Sequence, residues 1–222
     1  MDDLIVPQSV GVIVDGNRRW AKKEGLSTFE GHRAGYRNFK LFVDWAAECG
    51  VKFVTAYVFS TENWNRPTVE VDFLLELLES ILSKELLEFK NKNVRVKVIG
   101  DTTLFSQKLQ DLIKNAVLET ADASGITVVL ALSYGGREEL RQAAERKAKY
   151  GGKFEDYLWT RGIPDPDMII RTSGEMRLSN FLPWQSAYSE LFFVKTLWPD
   201  FKKEEFLAIL EEYKSRQRRF GK

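Results

Sequence analysis

Residues 9–25 read "SVGVIVDGNRRWAKKEG", a short run of branched and small apolar residues that breaks off into an acid, a glycine, an amide and two arginines. The apolar half has the length and branching of a buried strand, and the polar half carries the Asp, Gly and Asn of a turn that opens a helix. This junction decides the fold because it recurs. Runs rich in β-branched residues stand at 9–14, 52–59, 94–100, 126–133, 167–173 and 190–195. Segments with helical spacing and charged outer faces lie between most of them, at 33–49, 69–91, 102–123 and 136–149, with a last one at 203–219. Strands alternating with helices predict βαβ units and an α/β domain whose largely parallel central sheet is flanked by helices. Gly50, Gly100 and Gly125 fall where elements should stop. No repeat, low-complexity linker or shift in composition divides the chain, so residues 1–222 are expected to form a single domain.

Composition narrows the function classes. Lys and Arg number 33 against 32 Asp and Glu, a net charge of +1, which argues against a uniformly basic nucleic-acid binder. Any basic patch must be local. The single cysteine, Cys49, leaves no partner for an internal disulfide, which fits a reducing, cytoplasmic setting. The opening "MDDLIVPQ" lacks the basic start and long apolar stretch of a secretory signal, and no segment approaches the ~18 apolar residues of a membrane span.

In open parallel sheets ligands bind beyond the carboxyl ends of the strands. The loops expected there are "DGNRRW" (15–20), "STENWNRP" (60–67) and "RTSGEMRLSNF" (171–181). The first and third offer Arg18, Arg19, Arg171 and Arg177, and a guanidinium matches phosphate oxygens bidentately. Three such loops at one sheet edge, two with paired arginines, point to a ligand with more than one phosphate group. A "GxxxxGK[ST]" phosphate loop is absent, and the glycine pair in "YGGRE" (134–138) makes no dinucleotide fingerprint.

Taken in order, "DGNRRWA" (15–21), Gly31–His32, "FSTENWNRP" (59–67), "RTSGEMRLSNFLPWQSAYSEL" (171–191) and "RRFG" (218–221) resemble the motifs of the cis-prenyltransferases, the undecaprenyl diphosphate synthase family. The resemblance runs from about Val10 to Gly221. It implies a homodimer of α/β subunits, each with a hydrophobic tunnel. It also implies Mg²⁺-dependent addition of isopentenyl diphosphate, with cis geometry, to an allylic diphosphate such as farnesyl or geranylgeranyl diphosphate. The Z-polyprenyl diphosphate product, a lipid carrier precursor, would be delivered to the membrane by a cytoplasmic or membrane-peripheral enzyme.

Residue by residue, the resemblance makes Asp15 the acid that handles Mg²⁺ on the allylic diphosphate, with Gly16, Asn17, Arg18, Arg19 and Trp20 around that group. His32 is expected to contact the leaving pyrophosphate. Ser60, Asn63, Trp64 and Arg66 belong to the loop that closes over the substrates, with Asn63 near the step of proton loss. Arg171, Arg177 and Ser179 are expected to hold isopentenyl diphosphate, Glu190 to be the second carboxylate for Mg²⁺, within one subunit or across the dimer, and Arg219 and Gly221 to help hold phosphate.

The chemistry asks for these residue types. When pyrophosphate leaves an allylic carbon, negative charge grows on phosphate oxygens, and arginines, backbone N–H groups and Mg²⁺ stabilise it best where water is scarce. His32 is the only histidine, and one imidazole cannot build a zinc site. On 71–89, Leu74, Leu77, Leu78, Ile81 and Leu82 form a broad apolar face that packs on the sheet and, by the resemblance, lines part of the tunnel. The chain departs from many bacterial members at two places: Thr28 stands where they have Arg, and Arg18 where they have Gly. The alternative function is a non-catalytic partner subunit of the same family, although such subunits typically lose the acid or the "NW" that this chain keeps at Asp15, Asn63 and Trp64. A phosphate-binding α/β enzyme of unrelated chemistry has no distinctive motif in its favour.

Overall fold

The computed structural model describes residues 6–216. Six strands form one sheet: β1 (Ser9–Ile13), β2 (Phe53–Ser60), β3 (Arg95–Ile99), β4 (Thr127–Tyr134), β5 (Met168–Arg171) and β6 (Glu190–Phe193). Their spatial order is β3-β4-β2-β1-β5-β6, and every neighbouring pair is parallel. Parallel pairing brings all the strand carboxyl ends to one edge, so the loops after β1, β2 and β5 open on the same side. β1 lies between β2 and β5, and therefore places Asp15 between the other two polar loops.

Side-chain alternation along the strands builds two cores. On β4, Val128, Leu130 and Leu132 face one way, while Val129 and Ala131 face the other. The first face is covered by α2 (Thr28–Glu48), α3 (Thr68–Lys84), α5 (Gln107–Glu119) and α7 (Lys203–Ser215). Phe42, Trp198, Phe201 and Phe206 pack there edge to face and stacked, almost wholly buried. The opposite face is closed by Tyr134, Phe181 and Leu182, with α6 (Gly136–Tyr150) beside them.

The helices depart from the spans that sequence periodicity predicts. The stretch after β1 is a helix of its own, α1 (Asn17–Lys23), and α2 begins at Thr28 rather than at 33. A capping box sets that start: Ser27 Oγ accepts from Glu30 N at 3.3 Å, and Glu30 Oε2 accepts from Ser27 N at 2.9 Å. The continuous 69–91 pattern divides into α3 and α4 (Leu86–Asn91) at Glu85, whose carboxylate is drawn to Tyr36 and to Lys40 of α2, the latter at 2.9 Å. No proline or glycine marks that break. The 102–123 segment narrows to α5, capped by Ser106, after a short 3₁₀ turn at Thr102–Leu104. α7 ends at Ser215, and the rest of the expected 203–219 helix, from 217 onward, lies outside the described residues.

An apolar cavity of about 150 Å³ runs between α2, α3 and the sheet. Its walls include Phe39, Val43, Leu74, Leu78, Ile81 and Val128. His32 lines one end and Asp44 the other, twelve residues apart on α2, which corresponds to about 18 Å of helix at ~1.5 Å per residue. The far end is closed by charge: Lys92 Nζ donates to Asp44 at 2.8 Å, and Lys40 Nζ to Glu88 at 3.3 Å.

Candidate active site

Asp15 begins from its backbone. The last rung of β1 leaves Asp15 N donating to Ile13 O at 2.9 Å, while its own carbonyl accepts from Thr172 Oγ1 at 2.6 Å and Trp198 N at 3.0 Å. Three separate segments therefore hold one turn residue. Its carboxylate meets Arg171, the last residue of β5, whose Nη2 donates to Asp15 Oδ2 at 2.8 Å. Arg19 Nη2 stands 3.6 Å from the other oxygen. Burial works against the Asp15 charge, but the Arg171 hydrogen bond and charge, with Ser173 and Arg19, outweigh it and hold the carboxyl below the ordinary carboxylate range. Arg171 is 4 % exposed, and it also donates to Ser179 Oγ at 2.7 Å and to the Arg177 carbonyl.

Beside this pair lies a second charged cluster. Arg66 Nη1 donates to Glu70 Oε1 at 3.0 Å, His32 Nε2 lies 3.3 Å from the same oxygen, and Arg18 Nη1 lies 3.8 Å from Oε2. Burial presses the His32 imidazole toward its neutral form, partly countered by the Glu70 hydrogen bond and reinforced by the Arg66 charge.

The two clusters frame adjoining grooves. One is lined by Asp15, Gly16, Asn17, Arg18, Arg19 and Lys22, with Thr28, His32 and Arg66 across from them. The other shares Asp15, Asn17, His32 and Arg66 and adds Ser60, Asn63, Arg171 and Ser179. Val14, Asn17 and His32 also line the apolar cavity, so both arginine-bearing grooves and the apolar cavity meet at these three residues. Such a junction suits an amphipathic ligand with an anionic head and a hydrocarbon tail.

The structure thus brings together Asp15, Gly16, Asn17, Arg18, Arg19, His32, Ser60, Asn63, Arg66, Arg171 and Ser179. Asn63 is partly engaged by its own loop, where Oδ1 accepts from Ser60 N at 3.1 Å. Four expected site residues do not line the grooves within one chain. Trp20 turns away to donate Nε1 to Asp200 at 2.7 Å and anchors α1 instead. Trp64 packs on Phe59 and Phe105 and donates to Ser133 Oγ at 3.0 Å, an inner support of the 60–67 loop. Arg177 is turned outward onto Glu175 and contributes its carbonyl to Arg171. Glu190 stands at the start of β6, on the rung of Val10, whereas Asp15 follows the rung of Ile13 and Phe193. Parallel strands put those two positions at opposite ends of the sheet, and Glu190 there accepts from Arg216 at 2.9 Å. Arg219 and Gly221 lie outside the described residues.

Three participants escaped the sequence reading. Glu70 looks like any first-turn acid of an amphipathic helix, yet it is 7 % exposed and gathers two arginines and His32. Ser173 accepts from Arg19. Glu62 accepts from Asn180 Nδ2 at 3.1 Å and so ties the 60–67 loop to the 171–181 loop. A local signal for the third loop exists in the backbone: Ser173, Ser179, Asn180 and Leu182 all take positive φ without being glycine, the kind of strain that a functional loop retains.

Residues 13–221 match the family described as "Putative undecaprenyl diphosphate synthase". The chain is 45 % identical over 226 residues to an isoprenyl transferase of Thermotoga maritima, covering 97 % of each chain. It is 46 % identical over 228 residues to the isoprenyl transferase of Bacillus subtilis, covering 97 % of this chain and 88 % of the relative. Among solved structures, a lavandulyl diphosphate synthase from Lavandula x intermedia in complex with dimethylallyl diphosphate superimposes with a TM-score of 0.93 at 36 % identity, covering 99 % of this chain and 100 % of that one. A probable undecaprenyl diphosphate synthase from Campylobacter jejuni gives 0.83 at 32 % identity, covering 100 % of both. With the fold, the arginine-rich loops and these full-length similarities in agreement, the chain belongs to the undecaprenyl diphosphate synthase family of cis-prenyltransferases and is a prenyltransferase enzyme.

Proposed function

We propose that the enzyme condenses isopentenyl diphosphate with an allylic diphosphate, farnesyl or geranylgeranyl diphosphate, to give a Z-polyprenyl diphosphate. The observation that carries this reading is the meeting of two arginine-bearing grooves and one apolar cavity at Val14, Asn17 and His32. The likeness to a synthase solved with dimethylallyl diphosphate supports an allylic diphosphate as one substrate.

In this reading the allylic tail lies in the cavity between α2 and α3, and its diphosphate lies among Arg18, Arg19, His32 and Arg66. The second groove takes the diphosphate of isopentenyl diphosphate on Arg171 and Ser179, with Arg177 nearby. As the allylic C–O bond breaks, the electron pair goes to the bridging phosphate oxygen, and these cations stabilise the growing charge. The isopentenyl double bond then attacks the allylic carbon, and the proton lost from C2 passes to a phosphate oxygen while Ser60 and Asn63 orient the reacting groups. Trp64, packed beneath that loop, stiffens the side of the site that excludes water.

The residues present fit a substrate-borne Mg²⁺ and not a cage made of protein ligands. Among the described residues no group of three or more His, Cys, Asp or Glu converges, whereas the partly exposed Asp15 carboxylate faces both grooves. Mg²⁺ is suited to one or two carboxylates, diphosphate oxygens and water, and when bound it would neutralise charge on the departing pyrophosphate. Asp15 would hold it, and Glu190 would contribute only from a second copy of the chain.

Incubating the purified protein with labelled isopentenyl diphosphate, a series of allylic primers and Mg²⁺ tests the reading. Chain-extended Z products are expected. Binding of both diphosphates without condensation would favour the non-catalytic partner subunit, and no binding of either would end the proposal. Among the described residues no helix is long and apolar enough to cross a membrane. We place the enzyme in the cytoplasm or at the membrane periphery as a homodimer that hands its product to the bilayer.

A further inference from the structure

Behind the groove assigned above to the allylic diphosphate lies an anion supplied by the protein. Glu70, in the first turn of α3, is 7 % exposed, and its carboxylate is the common partner of Arg66 at 3.0 Å, His32 at 3.3 Å and Arg18 at 3.8 Å. These three come from different elements: Arg18 from α1, His32 from α2 and Arg66 from the segment entering α3. All three line the groove that also holds Asp15, and Glu70 itself is absent from the groove wall. Glu70 therefore sits behind these three side chains, where it compensates the arginine charge and accepts from His32 while the groove is free of substrate.

We propose that Glu70 is an internal counter-anion that competes with the substrate diphosphate for Arg18, His32 and Arg66 and speeds release of pyrophosphate after each condensation. This role rests on the proposed function. Glu70 is the buried charge of the cluster, and a buried carboxylate without partners is costly, so in the free enzyme it keeps to Arg66, His32 and Arg18. An entering diphosphate offers the same cations more acceptor oxygens and more charge, and draws them forward. Once the allylic bond has broken, the cations have somewhere to return, and pyrophosphate loses the competition more easily than it would to water alone. Uniformly tighter binding of the diphosphate would slow that release without helping bond breaking. The glutamate thus trades affinity for turnover.

The probe is inorganic pyrophosphate, with and without Mg²⁺, on the full-length protein. Glu70→Gln keeps the side-chain shape and an acceptor oxygen but removes the charge. It is expected to bind pyrophosphate about tenfold or more tightly by calorimetry, the scale at which one charge-assisted contact shifts an equilibrium. KM for the allylic diphosphate and kcat should fall together, with a burst of first-turnover product that shows release to be limiting. The variant's thermal midpoint should drop without ligand and recover more with pyrophosphate than the wild type gains, because the ligand replaces the missing anion. Glu70→Asp, which retains the charge on a shorter arm, should lie between the two. His32 is the only histidine, so its ring proton signal is unambiguous. Wild type and Glu70→Gln should differ there when free and converge when pyrophosphate is bound.

Unchanged or weaker pyrophosphate binding by a folded Glu70→Gln protein would overturn the competition and make Glu70 an organiser of the cations. Should Glu70→Gln not fold, Glu70→Asp binding pyrophosphate no more tightly than wild type would overturn it equally. A wild-type protein that binds neither pyrophosphate nor any allylic diphosphate would overturn the proposed function, and this role with it.

Discussion

Arg171 reaches three acceptors, the Asp15 carboxylate, the Ser179 hydroxyl and the Arg177 carbonyl, while its Nε finds none. Asp15 is therefore both the acid facing the grooves and the counter-charge of a buried guanidinium. Its folded-state carboxyl is held low, so the charge contributes stability that is fully present above the unfolded pKa near 3.8 and is lost as pH falls through the depressed folded value. Asp15→Asn should lower stability at neutral pH by about 1–3 kcal/mol, the range for weakening a charged hydrogen bond to a buried partner. The difference from wild type should shrink when urea unfolding is repeated below the ordinary carboxylate pKa. In the condensation assay the same variant should lose at least ~10³ in rate, the scale for removing an electrostatic catalytic group. Stability that differed equally at both pH values would show that the Asp15–Arg171 charge is not what the substitution removed.

At the level of elements, the approach of α1 to α2 decides where the first cationic loop points. A Cβ on Gly35 would stand 2.3 Å from Asn17 Oδ1, and one on Gly31 would stand 2.3 Å from the Asn17 carbonyl. Both glycines are required by contact rather than by backbone angle, since they sit in regular helix. Gly35→Ala gains up to about 1 kcal/mol of helix propensity. Against that stands an overpacking cost of roughly 1–3 kcal/mol, and the softest response is for Asn17 and α1 to move outward. We expect a modest fall in thermal midpoint and a clear weakening of allylic diphosphate binding, read by calorimetry on the same sample. Lost stability with unaltered diphosphate affinity would mean that α1 does not position the groove. The division of α3 from α4 likewise has a tertiary cause. Glu85 bonds Tyr36 and Lys40 across to α2, a tertiary demand that no helix-breaking residue announces.

For the whole molecule, the position of the C-terminal end bears on the proposed homodimer. Arg216 is held to Glu190 at 2.9 Å and lies over the Phe192 ring, at the end of the sheet away from Asp15. Six residues follow it, Arg219 and Gly221 among them. If Arg219 serves the partner's site, co-refolding Arg219→Ala with Asp15→Asn should restore activity, because each mixed dimer then contains one site with both an intact Asp15 and an intact tail. Mixtures that stay inactive, with the heterodimer verified by mass, would place the tail in its own subunit. The alternation of strands and helices, the parallel sheet that follows from it, and the polar loops that such a sheet must gather at one edge are legible in the amino-acid order alone. They are legible because strand periodicity, apolar runs and turn residues are local properties, set by neighbours in the chain. Packing in three dimensions is what turns Glu70 toward Arg18, His32 and Arg66, makes inner anchors of Trp20 and Trp64, and sets Glu190 far from Asp15 within one chain. Those facts depend on which strands adjoin, on the direction in which each side chain leaves its helix, and on residues dozens of positions apart competing for the same charge.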